Sequence, residues 1–191
     1  LNLYLNLDTY FYTLIVSFIL FLIFYIFGER IKRPSIFDKI LIIFLGYLLL
    51  PLILSIPFYL SIYNLTFLDS YFESISGFTS TGFTIFEDIR LIDQSLIIWR
   101  SSTQWIGGLY FLFSIIFLID IYDESLKKSL TNFFSFSSSE ILKQSTKIFL
   151  LYSSLTILIF IVLNFFDIRT FNSLNLAMTI ISSGGFLPDN E

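Results

Sequence analysis

The sequence predicts an all-α integral membrane protein in which a span, a short re-entrant segment and a second span form a unit that recurs. Three observations predict it. The composition is too apolar for a water-soluble fold: 55% of the 191 residues are hydrophobic and 14% charged, with 25 Phe, where soluble domains carry about 25% charged residues. The apolar residues gather in four blocks, each near the roughly 20 helical residues a bilayer core requires. Two further apolar stretches are too short to cross, and each runs into a hydroxyl-rich segment containing Gly-Phe.

The first block runs from about Tyr10 to Phe27, the second from about Ile40 to Tyr63, the third from about Leu96 to Ile119 and the fourth from about Ile148 to Phe166. None holds an internal Asp, Glu or Lys. Arg100 lies near the start of the third, where its stem can snorkel to the interface. Pairing with Glu73 or another outer carboxylate is the alternative, and the sequence leaves both open. Pro51 and Pro57 fall in the second block. Proline removes a backbone donor and kinks a helix, although membrane helices tolerate it. Gly107-Gly108 in the third block permits close approach of another backbone.

Loop charges orient the spans. Gly28 to Lys39 holds Arg30, Lys32, Arg33 and Lys39, and Asp120 to Lys147 holds Lys127, Lys128, Lys143 and Lys147. Both segments fall on one side, and positive residues mark the cytoplasmic side. The outer segments carry Asp8, Asp69, Glu73, Glu87, Asp88, Asp93, Asp167, Asp189 and Glu191 against three Arg. An acidic mouth raises local cation concentration, while extracellular loops are also simply free to be acidic. Ser129 to Ser139, with Phe133, Phe134 and Phe136 interleaved, suits an amphipathic helix at the interface.

The absence of Cys and His removes thiolate chemistry, imidazole bases and the common zinc sites. Asp69 and Glu73 are four apart but sit at the outer bilayer edge, and the spans offer no acid–base groups, so an enzyme is not expected. No charged n-region precedes the first block, which does not read as a cleavable signal peptide.

Between the second and third spans, Leu68 to Ser76 reads as about two turns of helix, capped by Asp69 or Ser70. Gly77-Phe78-Thr79-Ser80-Thr81-Gly82-Phe83-Thr84 follows. A dehydrated cation needs oxygen ligands, and extended backbone carbonyls supply them where Gly permits φ > 0. Non-helical backbone at membrane depth is tolerated only where protein encloses it or it lines a water-filled path. An ordinary extracellular loop is also rich in Gly, Ser and Thr. The recurrence favours the first reading. Ser173 to Ile181 is again short and apolar and runs into Ser182-Ser183-Gly184-Gly185-Phe186, which aligns with Thr79-Ser80-Thr81-Gly82-Phe83 at a period of about 100 residues. Such repeats indicate pseudo-symmetric assembly around a shared path.

Phe72 to Phe83, with its Gly-Phe-Thr-Ser-Thr-Gly-Phe run, resembles the first pore loop of the Trk/Ktr/HKT potassium transporters. Trp99 to Gly108 resembles the helix that follows, in the TrkH branch especially, and Ile181 to Phe186 resembles the second pore loop. The resemblance covers about Arg33 to Glu191. It implies helix–pore loop–helix repeats with re-entrant P-loops: two of four pseudo-symmetric repeats, the second incomplete and ending at its filter. The implied organisation is 1–32, a transmembrane helix preceding the repeats; 33–122, the first repeat; and 123–191, a cytoplasmic linker and the incomplete second repeat.

The resemblance further implies potassium uptake across the cytoplasmic membrane through a filter of backbone carbonyls. The lining residues are Thr79, Ser80, Thr81, Gly82, Phe83, Ser182, Ser183, Gly184, Gly185 and Phe186, with K+ at Thr81, Gly82, Gly184 and Gly185. No cofactor is implied beyond K+ as the transported ion. Gly82, where some sodium-permeable plant members have Ser, implies potassium preference. Ser80 stands where the branch often has Thr. The implied partners are the lipid bilayer, a second copy of the full-length protein as a homodimer, and cytoplasmic nucleotide-binding regulatory subunits, with no nucleic acid. Two repeats supply half a filter, so a protein more than twice as long is expected, with two more Gly motifs following Glu191. The family's gating loop belongs to the third repeat. The rival reading is a non-conducting or regulatory membrane subunit of a cation transport system, against which the two filter glycines speak.

Overall fold

The computed structural model describes residues 7–28, 35–118 and 141–188. The residues Arg30, Lys32, Arg33, Lys127 and Lys128 of the two basic segments, and the stretch from Ser129 to Ser139, lie outside them. Among the described residues the chain is all helical, and four helices are long and apolar enough to cross a membrane.

Helix α1 (Leu7–Phe27) is apolar all round and almost wholly exposed, with Phe24, Tyr25 and Phe27 each more than two-thirds accessible. Lipid, not water, is the solvent that suits such a surface. Its N-terminal end is anchored: Thr9 and Thr13 are buried, and the Tyr10 ring lies 5.3 Å from that of Trp99.

Helix α2 (Ile36–Leu54) starts four residues before the apolar block does. Ser35 and Asp38 form a reciprocal capping box: Asp38 N–H donates to Ser35 Oγ (3.1 Å) and Ser35 N–H to Asp38 Oδ2 (2.9 Å). The helix breaks at Ser55, and a short α3 (Ile56–Tyr59) follows with Pro57 in its first turn. Near the break, backbone carbonyls serve other elements: Pro51 O accepts from Ser74 Oγ (2.8 Å) and Leu54 O from Trp99 Nε1 (2.9 Å). These two carbonyls make the end of the span a docking edge for the next two helices.

Helix α4 (Phe67–Phe78) is the first short re-entrant helix. Its cap is Thr66, whose Oγ1 accepts from Asp69 N–H (3.2 Å), rather than Asp69 or Ser70. Helix α5 (Gln94–Leu118) begins where Asp93 accepts from Leu96 N–H (3.1 Å) and from Ser95 Oγ. Helix α6 (Ile141–Phe165) is the fourth span, and α7 (Thr170–Ile181) the second short helix.

Lipid tails are as apolar as Leu, so burial of hydrocarbon does little to choose among packings within the bilayer. Small residues and interhelical hydrogen bonds choose instead. A Cβ on Gly46 would lie 1.8 Å from the Tyr110 hydroxyl, which donates to Ile43 O (3.0 Å) and so locks α2 to α5. Trp105 Nε1 donates to Thr156 Oγ1 (2.9 Å) and Tyr152 Oη to Trp105 O (3.2 Å), locking α6 to α5. Helix α5 is therefore the central post, touching α2, α4, α6 and α7.

Candidate functional site: two re-entrant loops against one helix

Both short helices end in the same way. At α4, Ser80 N–H donates to Gly77 O (2.9 Å) and Thr81 N–H to Ser76 O (2.9 Å). At α7, Ser183 N–H donates to Ile180 O (3.1 Å) and Gly184 N–H to Thr179 O (2.8 Å). This pair of bonds is a Schellman motif, which requires its residue just past the cap to be left-handed. Ser80 and Ser183 supply it, at φ 55° and 54°. A hydroxyl from each helix then grips the loop beyond: Ser76 Oγ donates to Phe83 O (2.6 Å) and Thr179 Oγ1 to Phe186 O (3.0 Å). Positive φ also occurs at Asn64 and Asp167, just before each short helix. Among the described residues, all four non-glycine residues with positive φ pair at one spacing, 64 with 167 and 80 with 183, which is 103 residues. The repeat seen in the sequence is thus a repeat of backbone conformation.

The loops meet at their glycines. Gly82 has φ 82°, and a Cβ there would stand 2.6 Å from Gly185 Cα. Only glycine combines that conformation with that approach. Gly107 and Gly108 of α5 seat the two helix ends: a Cβ on Gly107 would be 1.8 Å from Phe78 O, and one on Gly108 2.9 Å from Ser182 Cβ. The Gly-Gly pair is a packing device, one glycine for each loop.

Polar bookkeeping in the loops is one-sided. The N–H groups of Thr79, Ser80, Thr81 and Gly82 donate back to carbonyls of α4, and those of Ser182, Ser183 and Gly184 to carbonyls of α7. With its amide oxygen turned toward the loop, Gln104 accepts from Gly185 N–H (3.0 Å) and Phe186 N–H (2.9 Å) and donates to Thr179 Oγ1 (3.0 Å). That orientation is the one satisfying both ends of the amide. The carbonyls of Thr79, Ser80, Thr81, Gly82, Ser182, Ser183, Gly184 and Gly185 accept no hydrogen bond among the described residues. Two runs of four carbonyls therefore stand without donors among the described residues, on loops whose N–H groups from Thr79 to Gly82 and from Ser182 to Phe186 are tied back.

A buried ion pair braces the first loop. Glu73 and Arg100 are fully buried, and Arg100 Nε donates to Glu73 Oε1 at 2.7 Å. Glu73 also accepts from Thr84 Oγ1 (3.0 Å to each carboxylate oxygen) and Ile85 N–H (3.0 Å), while Arg100 Nη2 donates to Thr84 Oγ1 (3.0 Å). The guanidinium lies 4.2 Å from the centroid of the Phe186 ring and so reaches the second loop as well. One open choice closes here and one expectation changes. Arg100 does not snorkel; it faces inward because Glu73 waits there. Glu73 is not a charge at the mouth, since Arg100 neutralises it inside the protein. Asp93 is likewise mostly consumed in capping α5 and in contact with the Tyr63 hydroxyl (3.1 Å). Asp88 remains an outward carboxylate; the hydrogen bond from Arg90 holds its carboxyl below the usual range.

The ten residues expected at the site divide. Thr79, Ser80, Thr81, Gly82, Ser182, Ser183, Gly184 and Gly185 form the two facing loops. The two phenylalanines do not match one another. The Phe83 side chain is 69% exposed, while that of Phe186 is 2% exposed beneath Arg100. Gln104 was not anticipated. An amide in mid-span was its signal, since polar groups at membrane depth mark partners or function.

The comparisons with known proteins agree in kind. A family of cation transport proteins, TrkH, matches residues 35–187. An uncharacterized cation transporter of Methanocaldococcus jannaschii is 29% identical over 88% of this chain and 37% of its own length. The Trk system potassium uptake protein TrkG of Escherichia coli is 35% identical over 51% of this chain and 22% of its own. The crystal structure of the potassium transporter TrkH from Vibrio parahaemolyticus superposes with a TM-score of 0.68 at 17% identity, over 98% of this chain and 44% of that one. The chain thus spans less than half the length of each of these three proteins.

Proposed function

The chain belongs to the TrkH family of cation transport proteins, and on that premise we propose that its two re-entrant loops line half of a potassium-selective path through the cell membrane. The observation that carries the reading is the unbalanced polarity of the loops: every N–H named above is tied back, and two runs of four carbonyls have no donor among the described residues. An array of carbonyls replaces the water shell of a monovalent cation, and a loop rigidified from behind sets their spacing. In this reading K+ binds at Thr81, Gly82, Gly184 and Gly185, and Phe83 and Phe186 bound the lining. The remaining half of the ring is assigned to polypeptide beyond these residues.

The organisation that goes with it is a leading transmembrane helix (1–32), a first repeat (33–122) and a linker with the start of a second repeat (123–191). A homodimer of the full-length protein and cytoplasmic nucleotide-binding regulatory subunits complete the proposal, on the strength of the family resemblance. The test is growth. In cells lacking potassium uptake, the full-length gene rescues growth on low potassium, and Gly82→Asp abolishes the rescue at equal protein level in the membrane. Growth of Gly82→Asp equal to the parent overturns the filter assignment.

A further inference from the structure

Helices α5 and α7 run side by side in the same direction. Ser102 meets Met178 (3.9 Å), Gln104 meets Thr179 (3.0 Å), and Gly108 faces Ser182. Contacts that ascend together along both chains define a parallel register. One turn back from Gln104 is Arg100; one turn back from Thr179 is Asn175. Residues four apart share a helix face, so the register sets Arg100 opposite Asn175.

Each carries an unmet polar atom. Arg100 Nη1, a donor, and Asn175 Oδ1, an acceptor, are buried with no hydrogen-bond partner among the described residues. The Asn175 orientation is fixed, because Nδ2 donates to Phe171 O at 2.7 Å. A buried orphan costs about 1–3 kcal/mol, more if charged. A donor and an acceptor orphaned at one level of two facing helices are complementary.

We propose that Arg100 Nη1 and Asn175 Oδ1 bond, directly or through one buried water, so that a single guanidinium fixes the placement of both filter segments relative to each other. It already holds Glu73 of the first short helix, Thr84 beyond the first loop, and the Phe186 ring of the second. The bond to Asn175 ties the second short helix to the same point. Arg100 and Asn175 are positioning residues and touch no ion. A lysine in place of Arg100 keeps the charge for Glu73 but lacks the fork that reaches Thr84 and Asn175 together. The inference rests on the conduction reading above, and its test separates the two.

Full-length parent, Arg100→Lys, Asn175→Leu and the double variant are reconstituted in proteoliposomes, and Rb+ and Na+ uptake are measured in each. Each single variant lowers the Rb+/Na+ ratio by roughly fivefold or more, the scale of coupling within one hydrogen-bonded network. The double variant is no worse than the poorer single. Ratios unchanged in both singles, or losses that multiply in the double, overturn the inference while leaving conduction standing. A parent that does not discriminate Rb+ overturns the conduction reading instead. The same four proteins compared by thermal unfolding then decide the Arg100–Asn175 bond without transport: midpoint losses that fail to add support it, and additive losses refute it. Should Arg100→Lys fail to reach the membrane, the Asn175→Leu ratio decides alone.

Discussion

In the first loop the backbone is braced by a carboxylate: Glu73 accepts from Thr84 and Ile85 and is neutralised by Arg100. In the second, a neutral amide holds the backbone two residues earlier in the repeat: Gln104 accepts from Gly185 and Phe186. The Schellman bonds, the left-handed serines and the gripping hydroxyls recur in both loops. Local geometry is therefore duplicated, and the long-range support is not. Both supports still come from, or are completed by, α5, through Arg100 and Gln104 one turn apart. The difference teaches that the loop backbone is a self-contained unit, whereas its placement depends on one neighbouring helix. A charged brace and a neutral one should fail by different amounts.

The largest effect is expected in the first loop. Glu73→Ala leaves the Arg100 guanidinium buried without a counter-charge, and breaking a buried pair on one side costs about 3–5 kcal/mol. The thermal unfolding midpoint of the purified full-length protein should fall sharply, with Rb+ uptake lost. Glu73→Gln should recover part of the midpoint, because the amide still accepts from Thr84 and Ile85. A Glu73→Ala protein that melts with the parent would show that the brace is not structural and would erase the contrast between the loops.

The second loop should lose less. Gln104→Leu conserves volume but orphans the N–H groups of Gly185 and Phe186, at about 1–3 kcal/mol each where water cannot reach. Gly185 is exposed, so its N–H can turn to solvent. The expected midpoint loss is accordingly smaller than for Glu73→Ala, with a clear fall in Rb+/Na+ discrimination. Gln104→Glu keeps the acceptor and should retain more discrimination than Gln104→Leu. Equal behaviour of the two variants would mean that the amide oxygen does not hold the loop.

The spans, the re-entrant helices and the repeat were legible because they follow from composition and spacing along the chain. Helix starts were less so. Apolar residues alone place the start of α2 at Ile40, and Asp69 or Ser70 offers itself as the cap of α4, whereas the Ser35-x-x-Asp38 and Thr66-x-x-Asp69 caps begin each helix earlier. The braces were the least legible. Whether Arg100 faces headgroups or Glu73 depends on how α4 docks on α5, residues 27 apart, and no local pattern encodes that. Glu73 reads as a mouth charge for the same reason: its place between two spans is legible along the chain, and the direction in which it points is not. Gln104 acts across the repeats on a loop some 80 residues away, which only the parallel register of α5 and α7 makes possible.

A smaller contrast lies at the starts of the two short helices. Thr66 caps α4 with its side chain, while Arg169 occupies the same place on α7 and makes no side-chain cap bond. Thr66 is extended, at φ −68°, ψ 161°, and Arg169 has a non-helical ψ of 128° at φ −50°, so a threonine there needs only a small backbone adjustment to cap. A cation at a helix N-terminus also opposes the helix dipole. Arg169→Thr should therefore stabilise the full-length protein by about 1 kcal/mol, and Thr66→Ala should destabilise it by a similar amount. Neither changes the Rb+/Na+ ratio, because each acts three turns before its loop. If Arg169→Thr lowered the midpoint, the arginine would be holding something that a cap does not replace, and the two repeats would differ at their entrances as they do at their braces.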